Sequence, residues 1–168
     1  FMIDASRGFI KDGNKNRLRE QDIRKISHDL NTDFVSGSGF VDIIDTLIST
    51  QTQAYQLKYD FYHSDDINWE NVSNKTKIHI YRILQETMQN IYKHAEASLI
   101  KISFQLKNDV ICLSISDDGK GFVINKSKKG IGLKNIHSRV DEVGGIVSYD
   151  SVIDKGTTIT IDIPYTIK

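Results

Sequence analysis

Hydrophobic residues recur along this chain with two periods, and the switch between them predicts the elements. From Asn16 to Asp33, Leu18, Ile23, Ile26 and Leu30 stand at mostly helical spacing among charged residues, which predicts a helix with one narrow apolar stripe. The stretch Ser36–Gly39, "SGSG", interrupts it. Val41, Ile44, Leu47 and Ile48 then predict a shorter helix over Phe40 to Gln53. In "QLKYDFY" the period drops to two, with Leu57, Tyr59 and Phe61 against Lys58 and Asp60, as in a half-buried strand; a polar loop follows through Asp65, Asp66 and Asn68. Ser73 to Ala95 reads as a long helix capped by Ser73 or Asn74, with Ile80, Ile83, Leu84, Thr87, Ile91 and Ala95 on its buried face.

Alternation returns in "SLIKISFQL" and "VICLSIS", where Ile100, Ile102, Phe104 and Leu106 pair with Ile111, Leu113 and Ile115 as a hairpin turning at Lys107 to Asp109. A helix over Leu133 to Val143, with Leu133, Ile136, Val140 and Val143 at helical steps, stops at Gly144-Gly145. A second hairpin, "GGIVSYDSV" with "GTTITIDIP", turns Ile159, Ile161 and Ile163 inward and closes at Pro164. Every strand has one apolar face, so the helices must cover that face. The expected fold class is α+β: a two-layer sandwich of a mixed, largely antiparallel sheet covered by helices, with an N-terminal helical segment.

Composition narrows the function by exclusion. Lys plus Arg and Asp plus Glu number 22 each over 168 residues, so no bulk charge favours nucleic acid or an anionic membrane. The single cysteine, Cys112, excludes an internal disulfide and a cysteine-rich metal site. No stretch has the length of apolar sequence that a membrane span needs. The chain is therefore expected to be cytoplasmic and to bind no nucleic acid, and its polar first residues, 1–14, read as a linker or an arbitrary boundary.

Three side chains on the long helix raise the chemical question. Glu86, Asn90 and His94 stand four residues apart, each step turning about forty degrees, so they form a polar stripe beside the buried face. Two glycine loops follow it in sequence. In "SDDGKGF", Gly119 and Gly121 let the backbone turn off a strand end and approach a flat ligand, with Asp117 offering an acceptor. In "GIGL", Gly130 and Gly132 leave free N–H groups at a helix start, where an anion is favoured and phosphate is the obvious one. Either loop alone is equally well a plain turn. Neither a Rossmann G-x-G-x-x-G with its acidic partner nor a Walker loop is present.

Together and in order, these motifs resemble the catalytic ATP-binding (GHKL, or Bergerat-type) domain of two-component sensor histidine kinases, in the superfamily that includes gyrase-like and heat-shock chaperone ATPases. "QETMQNIYKHA" is similar to that family's Asn-containing helix, "DDGKGF" to its adenine loop, "GIGLKNIHSRV" to its second glycine loop and helix, and "KGTTITIDIP" to its closing Gly-Thr strand; the resemblance spans about Leu57 to Pro164. It implies ATP and Mg²⁺ as cofactors. Asn90 and Glu86 are the implied catalytic pair, with Asn90 ligating the metal and Glu86 ligating or orienting near it. Lys93 or His94 would contact phosphate, and Asp117 would accept from the adenine amino group. Gly119 and Gly121, the backbone of Gly130, Ile131, Gly132 and Leu133, and Thr157 complete the implied ATP-binding set. On this resemblance residues 15–55 are the end of a dimerisation stalk plus a connecting helix, and 56–168 the ATP-binding domain.

The implied activity is protein-histidine kinase: the γ-phosphoryl of ATP passes to a histidine for relay to an aspartate on a response regulator, here of the transcriptional type. The implied partners are that regulator and a second copy through the stalk, with any membrane attachment made by upstream segments of the parent. His28 beside Asp29 is a second candidate for the phosphoacceptor; the short interval to the ATP domain favours an acceptor upstream of this chain. Two alternatives remain open on sequence grounds, an anti-sigma-type serine-protein kinase and a catalytically silent nucleotide-binding module.

Overall fold

Asn108 and Asp109 both adopt positive φ, 49° and 59°, the backbone a two-residue hairpin turn requires, and this turn sets the register of the central strands. The computed structural model describes residues 39–123 and 131–165. The charged helix expected over Asn16 to Asp33, with His28, lies outside them, as do the first residues, most of "SGSG" and Gly130.

Among the described residues the order is helix α1 (Gly39–Tyr55), strand β1 (Lys58–His63), a 3-10 turn (Trp69–Asn71), helix α2 (Asn74–His94), the hairpin β2 (Leu99–Lys107) and β3 (Val110–Asp117), helix α3 (Ile131–Asp141), and the hairpin β4 (Ile146–Val152) and β5 (Gly156–Pro164). Ser73 caps α2, its side chain accepting from the Thr76 N–H. After α3, Gly144 takes φ +67° and the Gly145 N–H donates to the Val140 carbonyl at 3.0 Å, which ends the helix where the glycine pair is written.

The sheet runs β1-β2-β3-β5-β4. β1 pairs with β2 in parallel, and every other pairing is antiparallel. Its inner face carries Ile100, Ile102, Phe104, Ile111, Leu113, Ile115, Ile159, Ile161 and Ile163, all buried against Ile44 and Ile48 of α1, Ile80, Ile83, Leu84 and Met88 of α2, and Ile136 and Val140 of α3. The opposite face shows Lys101, Ser103, Ser114, Thr158 and Thr160, the polar half of each alternation. This is the expected two-layer α+β sandwich. The loop expected after β1 contributes more than its polar sequence announces. Ile67 and Trp69 are buried there, with Trp69 against Phe40 and Phe104 at ring-centroid distances of 4.6 and 5.3 Å. No described helix is long and apolar enough to cross a membrane.

α2 also buries two residues outside its apolar stripe, Lys77 and His79. His79 Nε2 lies 3.3 Å from Glu142 Oε2, tying α2 to the end of α3. Burial holds the imidazole below its ordinary value. Glu142 pulls it back up, Arg139 and Lys75 push it down again, and burial outweighs the half-exposed carboxylate. The folded chain therefore keeps a neutral ring. The stability this contributes is present above the unfolded-state value near 6.5 and is lost as pH falls through the lower folded one. Melting curves from pH 7.5 to 5 are expected to fall more steeply for the native chain than for His79→Gln; parallel curves would contradict this.

Candidate functional site

The polar stripe of α2 meets the start of α3. A Cβ added to Gly132 would lie 2.7 Å from Glu86 Oε1 and 3.0 Å from both amide atoms of Asn90, so the α3 N-terminus rests directly against the ends of these two side chains, which would have to swing aside for a larger residue. Glu86 and Asn90 are half-buried, which keeps them beside the core and open to a ligand. Lys93 and His94 continue the stripe into the last turn of α2 and are exposed. Ile131 opens α3. Leu133 packs against the core.

The first glycine loop closes on the C-terminal end of α2, just beyond Asn90. A Cβ on Gly119 would come within 2.3 Å of the Ala95 carbonyl oxygen, and the Lys120 N–H donates to that same oxygen at 2.7 Å. Lys120 Nζ also pairs with Glu96 Oε1 at 2.7 Å, a contact between exposed groups that contributes little energy. Gly121, at φ +59°, sits against the Val152 carbonyl. Asp117 ends β3 opposite Thr157 of β5. Its Oδ1 accepts from the Gly119 N–H at 2.8 Å. Burial raises the Asp117 carboxyl above the usual carboxylate range, while the Gly119 and Thr157 N–H groups act to lower it and the neighbouring Asp118 charge raises it further. A half-buried acceptor with few donors suits a ligand that brings one.

Three residues of this loop system are absent from the sequence expectations. Asp118 Oδ1 accepts from the N–H groups of Leu99 and Ser98 at 2.9 and 2.7 Å, fastening the loop to the first residue of β2 and the one before it; these bonds hold its carboxyl below the usual range. Ser151 Oγ lies 2.8 Å from Thr157 Oγ1 and accepts from the Phe122 N–H at 2.9 Å. Gly156, at φ +90°, rests on the Asp117 carbonyl. A second acidic residue in "DDG" and the glycine of "KGTT" were the available signals, but their partners are twenty to forty residues away in sequence.

The structure thus joins Glu86, Asn90 and Gly132 in one group, and Asp117, Gly119, Gly121 and Thr157 in another at the C-terminal end of α2. The side-chain oxygens of Glu86 and Asn90 both lie close to Gly132 and are hard donors, of the kind that Mg²⁺ takes. Among the described residues no cluster of three His, Cys, Asp or Glu side chains could hold a metal alone, so an ion here would take its remaining ligands from phosphate and water. An open depression of about 630 Å³ lies along α3, bordered by Lys134, His137, Ser138, Asp141 and Glu142, away from both groups.

Comparison with known proteins gives the family. Residues 75–167 match the family of histidine kinase-, DNA gyrase B-, and HSP90-like ATPases. The sensor histidine kinase LiaS of Bacillus subtilis is 34% identical over 104 residues, covering 59% of this chain and 29% of LiaS. The oxygen sensor histidine kinase NreB of Staphylococcus carnosus is 28% identical over 169 residues, 98% of this chain and 47% of NreB. The chain thus spans less than half the length of these curated relatives. Among solved structures, the blue-light activated histidine kinase EL346 of Erythrobacter litoralis superposes with a TM-score of 0.63 over 78% of this chain and 42% of that one, at 18% identity, a likeness of fold alone. With the family matched over more than half its length and the two glycine loops set at one helix as described, the chain belongs to the histidine kinase-, DNA gyrase B-, and HSP90-like ATPases.

Proposed function

We propose that this ATP-binding domain is the catalytic part of a sensor histidine kinase, delivering the γ-phosphoryl of ATP to a histidine for relay to a response-regulator aspartate. The named relatives support this reading, since both are sensor histidine kinases. The observation that carries the site is the closure of Gly132 on Glu86 and Asn90. In this reading Asn90, with Glu86 beside it, holds Mg²⁺, which when bound offsets phosphate charge. The N–H groups at the start of α3 face the phosphates. Asp117 accepts from the adenine amino group, and the bonds of Gly119 and Asp118 hold that acceptor still before the base arrives. Lys93 and His94 reach phosphate from the exposed end of the stripe.

The phosphoacceptor belongs to the parent protein upstream of this chain, with His28 as the second candidate. Residues 15–55 serve as stalk end and connecting helix, and residues 56–168 as the ATP-binding unit. The division is one of role, because Phe40, Ile44 and Ile48 of α1 share the core of the sheet. Dimerisation through the stalk, a transcriptional regulator as partner and anchoring by upstream segments complete the proposal.

Calorimetric titration with Mg-ATP tests it. The native chain is expected to bind, and Asn90→Ala to weaken binding about tenfold, the scale of one lost charge-assisted contact. Equal affinities would remove Asn90 from the site.

A further inference from the structure

α2 and α3 run antiparallel, pinned at one end by Gly132 against Glu86 and Asn90 and at the other by His79 against Glu142. Two arginines stand between these pins. On α2, Lys75, His79, Arg82, Glu86 and Asn90 follow steps of three and four and share one side; on α3, Gly132, Asn135 and Arg139 do the same. Arg82 is one turn from Glu86, about 6 Å along the axis, and Arg139 is two turns from Gly132, about 10 Å. Both are half-buried.

Their neighbours do not neutralise them. Arg82 Nη1 donates to the uncharged Gln85 Oε1 at 3.4 Å. Among the described residues the ion pairs are His79 with Glu142 and Lys120 with Glu96, so no carboxylate comes within ion-pair distance of either guanidinium. The antiparallel pairing of the two helices, held at Gly132 and at Glu142, brings Arg82 and Arg139 to the same level on facing sides; burial and the Arg139 charge both lower the affinity of Arg82 for its proton, in keeping with that placement. Two partly buried guanidinium groups held near each other without a carboxylate between them favour an anion that can meet both. Along α2 they lie beyond Glu86, on the side away from the base-binding loop.

We propose that Arg82 and Arg139 together bind the terminal phosphate of the nucleotide and so make the site distinguish a triphosphate from a diphosphate. The inference rests on the nucleotide reading above and adds a specificity-determining pair to it. Arginine suits the role, since its fork meets two phosphate oxygens at once and keeps its charge. The two residues come from different helices, so the preference also depends on α3 being drawn against α2.

Calorimetry with Mg-ADP and with the non-hydrolysable triphosphate Mg-AMPPNP, on the native chain, Arg82→Gln, Arg139→Gln and Arg82→Lys, tests the proposal, with circular dichroism verifying that each variant is folded. The native chain is expected to prefer the triphosphate. Each glutamine variant should lose tenfold or more in AMPPNP affinity and less than twofold in ADP affinity, and Arg82→Lys should fall between. Equal losses for both ligands in a folded variant mean a structural role only and overturn the proposal, as do unchanged affinities for both. Should Arg82→Gln fail to fold, Arg139→Gln on the other helix carries the same decision. A native chain that binds neither ligand removes the nucleotide reading, and this inference with it; one that binds both while the variants discriminate nothing overturns this inference alone.

Discussion

Replacing Gly156 with alanine is expected to destabilise the chain by about 2–5 kcal/mol and to lower its melting temperature by roughly 10 °C. Two effects add. At φ +90° an L side chain is strained, at about 1–2 kcal/mol. The new Cβ would also stand 1.9 Å from the Asp117 carbonyl oxygen and 3.1 Å from Asp118 Cα, both backbone, so no side chain can move aside. β5 would have to draw away from β3 where the ladder carries Asp117 opposite Thr157. Gly144→Ala is the control, since its φ is +67° but nothing lies within 4 Å, leaving strain alone. Scanning calorimetry of the two variants decides the matter: equal melting temperatures would mean that β3 and β5 do not meet as described.

Asp117→Asn is expected to separate stability from affinity. Burial raises the Asp117 carboxyl, so the folded chain binds its proton more tightly than the unfolded chain does. The stabilising effect of that proton is full below the unfolded-state value near 3.8 and is lost as pH rises through the folded one, leaving a buried charge at neutral pH that disfavours folding. An asparagine removes the charge and keeps an oxygen for the Gly119 N–H, so the melting temperature at pH 7 is expected to hold or rise. Nucleotide binding should move the other way. Losing a charged acceptor for the adenine amino group costs about 1.5–3 kcal/mol, between roughly tenfold and a hundredfold in affinity. The asparagine amide would instead donate, which suits the carbonyl of a 6-oxopurine, so the ratio of ITP to ATP affinity should increase. Titration with both nucleotides reads this out. An unchanged ATP affinity would take Asp117 out of the base contact.

Local pattern carried much of this protein. Period-two alternation in "SLIKISFQL", "VICLSIS" and "TTITIDI" marks the inner face residue by residue, because neighbouring side chains of a strand point oppositely wherever that strand lies. Ser73 and Gly144-Gly145 mark helix ends for reasons confined to one turn of backbone. The Glu86 and Asn90 stripe follows from helix geometry alone, and the order of the glycine loops along the chain was enough to suggest the family.

What depends on distant residues meeting was not written in any window. Alternation cannot say that β1 lies parallel at one edge or that β5 inserts between β3 and β4, because a strand's pattern is the same whichever neighbour it pairs with. Trp69 sits in a polar stretch and becomes core only when Phe40 and Phe104 arrive. The role of Asp118 exists because the loop folds back on Ser98 and Leu99, and the Arg82 and Arg139 pair because two antiparallel helices bring like charges near each other. Sequence determined the elements, their buried faces and the chemical types along the stripe, all consequences of short-range backbone geometry. Tertiary structure decided which of those groups share a site, since packing the apolar faces leaves the polar side chains beside them no choice of neighbour.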